Sequence, residues 1–95
     1  MFKIEDEWHA ELQDGEFPSL AAAATELRTR AGIPWDQRPN LAPCTSWRTC
    51  GRKYVVVEYD TSVSPWRQLQ RIAVLEIDSS GIRWVAPDIA KLGVQ

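Results

Sequence analysis

The even positions from Phe2 to Leu12 read Phe, Ile, Asp, Trp, Ala, Leu, and the odd positions between them read Lys, Glu, Glu, His, Glu. This period-two alternation predicts a half-buried β-strand with Lys3, Glu5, Glu7, His9 and Glu11 on its exposed face, broken only at Asp6. The turn pair Asp14-Gly15 ends it. Ser19 then stands where a helix N-cap belongs, and Leu20, Ala23, Ala24, Leu27 and Ala31 recur at helical spacing until Gly32 supplies a stop. The apolar stripe of that helix is mostly Ala, so it buries little area and depends on a sheet for its stability.

After Gly32 the periodicity disappears until Lys53. This stretch holds Pro34, Pro39, Pro43, Trp35, Trp47 and both cysteines, and it reads as a long ordered loop pinned by its tryptophans. Lys53 to Asp60 is rich in β-branched and aromatic residues and apolar on both faces, as a central strand is. Leu69 to Ile77 and Ile82 to Ala86 follow as two strands joined by the hairpin residues Asp78-Ser79-Ser80-Gly81, and Pro87-Asp88 could open a short helix through Leu92. The expectation is an α+β domain over residues 1–95, with strand and helix order β-α-β-β-β, a short antiparallel sheet and one amphipathic helix packed on it.

Length limits the chain to one core, and 44% hydrophobic with 25% charged residues is the balance of a globular domain rather than a disordered segment. No uncharged run, Phe17 to Thr25 included, approaches the ~20 apolar residues of a membrane helix. The acidic start, Glu5-Asp6-Glu7, is unlike a signal core, and two cysteines are too few for a disulfide framework, so the compartment is read as cytoplasmic. Net charge is −2, unevenly spread. Acids dominate residues 1–18, and Arg28, Arg30, Arg38, Arg48, Arg52 and Lys53 dominate residues 28–53, so the surface has an acidic and a basic face if the two segments are not neighbours.

Candidate chemistry is sparse. Cys44 and Cys50 are spaced unlike a zinc knuckle and have only His9 to join them, so neither a metal nor any cofactor is called for. Arg48 and Arg52 flank Cys50 and would favour a thiolate, but two buried thiols under a loop is the plainer reading. No motif around His9 marks a nucleophile pair, and no Gly-rich loop marks a phosphate site. Carboxylates two apart, Glu58 with Asp60 and Glu76 with Asp78, sit at strand ends where solvated turns take them. What remains is the mixture of Arg and Trp in Trp35, Arg38, Trp47, Arg48 and Arg52, with Trp66 and Arg67 further on. These residue types dominate binding hot spots and stack on single-stranded nucleic acid, but they also close small cores, tryptophan inward and arginine laid over it. Trp47 is expected to anchor the loop, and Arg48 and Arg52 to face water.

The run Asn40-Leu41-Ala42-Pro43-Cys44-Thr45-Ser46-Trp47-Arg48-Thr49-Cys50-Gly51-Arg52-Lys53-Tyr54, continuing to Glu58-Tyr59-Asp60, resembles the signature block of a group of small uncharacterised bacterial proteins. The resemblance implies a bacterial source and a shared fold and assigns no catalytic residue. In size, acidity and α+β layout the chain is also similar to the small immunity proteins that neutralise bacterial toxins. Three functions follow in order: a module that binds another protein, a homodimer included; a nucleic-acid or nucleotide binder, which an isoelectric point near 5.3 disfavours; and a thiol-dependent enzyme using Cys44, Cys50 or His9. No partnership with a membrane is expected.

Overall fold

The sheet is built outward from its most apolar strand. In the computed structural model, which describes residues 1–42 and 51–92, the elements are β1 (Phe2–Asp6), β2 (Glu11–Leu12), α1 (Leu20–Ala31), β3 (Arg52–Asp60), β4 (Arg67–Asp78), β5 (Gly81–Trp84) and α2 (Pro87–Leu92). The five strands form one antiparallel sheet in the order β2-β1-β3-β4-β5, so β3, the Val-rich segment, is central. The α+β class and helix-on-sheet layering are as the periodicities predict, and the short helix suggested from Pro87 through Leu92 is present; the order differs by one extra hairpin at the start.

That hairpin is the first correction. The alternation from Phe2 to Leu12 does not run as one strand, because Asp6 turns inward and its Oδ1 accepts from Trp8 N at 3.1 Å, closing a local turn that competes with the ladder. Ala10 follows in the left-handed region at φ 49°, and β2 folds back on β1 with Asp6 opposite Glu11. Trp8, placed by the alternation on the buried face, is 46% exposed as a result. The one polar residue that broke the pattern is thus the residue that ends the strand.

Helix α1 begins and ends where its signals stand. Ser19 accepts from Ala22 N at 3.1 Å, and the Gly32 N–H donates to Thr29 O at 3.1 Å. Its Ala23, Ala24 and Leu27 are buried on the sheet, and the core they enter is Ile4, Tyr54, Val56, Val74, Leu75 and Ile77. The small side chains let the helix approach closely, so most of the buried area comes from the strands. Helix α2 closes the same layer through Ala90, whose carbonyl accepts from Arg28 Nη1 at 3.5 Å.

Among the described residues both helices lie on one face of the sheet, and no described element packs on the other. Val55 and Val57 are nevertheless buried there. Val57 lies between Lys3 and Arg71 in the ladder and Val55 between Glu5 and Ala73. Arg71 pairs with Glu5 and Glu7, and Lys53 Nζ lies 3.2 Å from Glu7, so charged side chains lay their stems across the valines and hold their heads in water. Among the described residues, the apolar second face of β3 is flanked by a lattice of ion pairs rather than by a packed helix.

Candidate functional site

At one end of the sheet the core turns polar. Arg52, expected to face water, is 6% exposed and lies beneath the loop after α1. Its Nη1 donates to Asp6 Oδ2 and to Glu11 Oε1, each at 3.0 Å, and its Nη2 donates to Leu41 O at 2.7 Å. Asp6, wholly buried, also accepts from Lys53 N at 3.1 Å, and His9 Nδ1 lies 2.5 Å from its Oδ2. Strand pairing between β1 and β3 is the reason: it sets the acidic start of the chain against the basic segment that follows the loop. Arg52 and Lys53 at the end of the basic segment thus meet Asp6, Glu11 and Glu7 of the acidic one, so among the described residues the two segments are neighbours rather than opposite faces.

The other buried polar side chains continue the same network. Arg30 Nε donates to Glu26 at 2.7 Å and its Nη1 to Gln13 Oε1 at 3.2 Å, while its guanidinium stacks 5.0 Å from the centre of the Tyr54 ring. Tyr54 donates its hydroxyl to Asn40 Oδ1 at 2.8 Å, and Asn40 Nδ2 donates to the carbonyls of Arg30 and Ile33, both at 2.8 Å. Burial pushes the Tyr54 hydroxyl above its ordinary pKa, against a smaller opposing pull from the Arg30 and Arg52 charges. Asn40 thereby ties the loop to the end of α1, and Arg52 ties it to β1. Arg52 Nε is the exception, a buried donor with no partner.

Of the expected site residues that are described, Trp35 does not share a cleft with Arg38 and Arg52. Arg38 and Arg52 line one cleft of about 470 Å³ beside Glu11 and Asp14. Trp35 lines another, of about 320 Å³, between the end of α1 and the β4–β5 turn, and packs half-buried against the core. Trp47, Arg48, Cys44 and Cys50 lie outside the described residues. Among the described residues no His, Cys, Asp and Glu group with the geometry of a metal site. No helix among them is long and apolar enough to cross a membrane.

At the opposite end, β3 and β4 run on past the helix layer as a bare hairpin, here called the arm. Every residue from Thr61 to Arg71 is exposed, including Val63 at 43%, Trp66 at 39% and Leu69 at 50%. The tip is shaped by polar contacts: Asp60 Oδ1 accepts from Ser62 N at 2.9 Å and from its hydroxyl at 2.6 Å, and Arg67 Nη2 lies 3.1 Å from Asp60 Oδ2. These donors, Ser62 first and Arg67 after, hold the Asp60 carboxyl below its usual range. The Trp66 ring leans on Tyr59, centroids 6.0 Å apart and tilted by 49°. In the ladder Glu58 faces Gln70 and Tyr59 faces Gln68, which leaves Leu69 as the extra residue of a bulge. A bulge redirects its side chain and bends the strand, so Leu69 leaves the alternation of β4. Leu69 opens the strand expected from Leu69 to Ile77, but it stands exposed, because apolar residues in a strand carry no sign of whether a helix lies over them.

Compared with known proteins, the chain matches no family model, no curated protein and no solved structure.

Proposed function

We propose that the chain is a small protein-binding module that presents the β3–β4 arm to its partner. The observation that carries this reading is the exposure of Trp66, Val63 and Leu69 on one hairpin that no other described element covers. Tryptophan, with arginine and tyrosine, is the side chain that most often dominates a protein interface, and here Trp66 stands between Tyr59 and Arg67. The arm needs little reorganisation to bind, since Asp60, Ser62 and Arg67 already fix its tip. Nucleic-acid binding has less support, because Arg52, Lys53 and Arg71 each already face a carboxylate and form no free basic stripe.

The test compares the wild-type chain with a Trp66→Ser/Leu69→Ser variant as bait in lysate of the source cell, followed by titration of the enriched protein in purified form. The variant should melt within about 3 °C of wild type, as exposed positions do, and should bind the partner at least ~10-fold more weakly. Equal binding by the two baits would remove the arm from the interface. A large fall in melting temperature would instead make the arm a packing element.

A further inference from the structure

Most basic side chains among the described residues are matched to carboxylates, Lys53, Arg71 and Arg83 being examples. Arg38 is not: it is exposed and has neither an ion pair nor a side-chain hydrogen bond among the described residues. Asp14 is likewise exposed and unpaired. Both line the cleft beside Arg52, and among the described residues no ion pair joins them. We propose that this cleft binds a compact zwitterion of the α-amino acid type, its carboxylate on Arg38, its ammonium on Asp14 and an apolar side chain against Pro39 and Leu41.

The charge balance selects that chemistry. Arg52 contributes little net potential because Asp6 and Glu11 already neutralise it. A simple anion would therefore meet Arg38 but be opposed by Asp14, and a simple cation would meet Asp14 but be opposed by Arg38. A ligand with both charges a few ångströms apart satisfies both walls at once, and a planar guanidinium can take a carboxylate with two parallel hydrogen bonds. The floor is rigid, since Arg52 is held at three acceptors and Gln13 is held between Glu11 and Arg30. Leu41, among the more exposed apolar residues, offers the side chain its contact. A volume of about 470 Å³ admits an amino acid with a branched or aromatic side chain.

The experiment is titration calorimetry with leucine, with leucinamide, which lacks the carboxylate, and with 4-methylpentanoate, which lacks the ammonium. Leucine should bind with a dissociation constant of roughly millimolar or better, and each single-charge analogue at least ~10-fold more weakly. Arg38→Gln and Asp14→Asn should each weaken leucine about 10-fold with unchanged melting temperature, while Trp66→Ser should leave it unaltered. Backbone NMR of the wild-type chain, needing no variant, should show leucine-dependent shifts at Asp14 and Arg38. No leucine binding up to about 10 mM, equal binding of either analogue, or shifts confined to other residues would overturn the proposal.

Discussion

The two ends of the central hairpin use the same strands in opposite ways. Where β3 begins, Arg52 and Tyr54 are buried among Asp6, Asn40 and Arg30, and all of these but Arg52 Nε find partners. Where β3 ends and β4 begins, half-buried Tyr59 and exposed Trp66 and Leu69 stand on a hairpin that no described helix covers. Polar groups lie inside at one end and large apolar groups outside at the other, the reverse of the simple rule in both places. A buried charge is strongly destabilising once its partner is lost, so the first end is a scaffold that tolerates little change. An exposed tryptophan adds little to folding, so the second end is free to serve recognition.

The strongest way to break the comparison is Asp6→Ala. It strips Arg52 of its best partner and leaves the Lys53 and Trp8 amides without an acceptor, which should cost about 3–5 kcal/mol of a total near 5–15. Urea titration should find the variant largely unfolded or close to it, and a loss under about 1 kcal/mol would mean the network is ornamental. Next comes Gly51→Ala, at the entrance to β3. An added Cβ would stand 2.0 Å from Ile77 O and 2.6 Å from Asp78 Cβ, so the β3–β4 pair must part locally. A loss of about 1–3 kcal/mol is expected, with a melting point lower by several degrees.

The pH dependence separates the ends by sign. Burial raises the Tyr54 pKa on folding, so its contribution to stability is complete below about 10 and is lost as pH rises through the raised value. Asp60 on the arm is lowered, so its contribution is present above about 3.8 and is lost as pH falls through the lowered value. Melting temperature followed across pH should show an alkaline limb that Tyr54→Phe abolishes, with an overall loss of about 1–2 kcal/mol from the unpaired Asn40. The acid limb from Asp60 should be shallow and should fade in about 1 M salt, since exposed pairs are screened. An alkaline limb surviving in Tyr54→Phe would show that another group carries it. The smallest effect is expected at the arm, where Trp66→Ser should shift stability by only about 0.5 kcal/mol. A shift several times larger would erase the contrast between the ends.

Much of the fold was legible. Ser19 and Gly32 mark the ends of α1 because capping is a contact between residues three or four apart, present in the sequence itself. The β4–β5 hairpin and the start of α2 at Pro87 were equally local, and the Val-rich run found its central place through its lack of a polar face. Asp6 was visible as an interruption but not as an anchor, because its donors Arg52 and Lys53 lie 46 and 47 residues away. Trp66, Arg67 and Arg38 stand out in the sequence as an Arg and Trp pattern, whereas the burial of Arg52 does not, because its partners Asp6 and Glu11 lie 46 and 41 residues away.

Local chemistry, then, was determined by the sequence: which segments are strands or helix, where they stop, and that one core of limited size unites them. Tertiary structure alone decided which side of each apolar strand is covered, and by what. Val57 is hidden by Lys3 and Arg71 brought beside it through strand pairing, whereas Leu69, no less apolar, is left in water by a bulge and by the reach of a short helix layer. Burial depends on neighbours distant along the chain, and hydrophobicity at a single position contains no record of them.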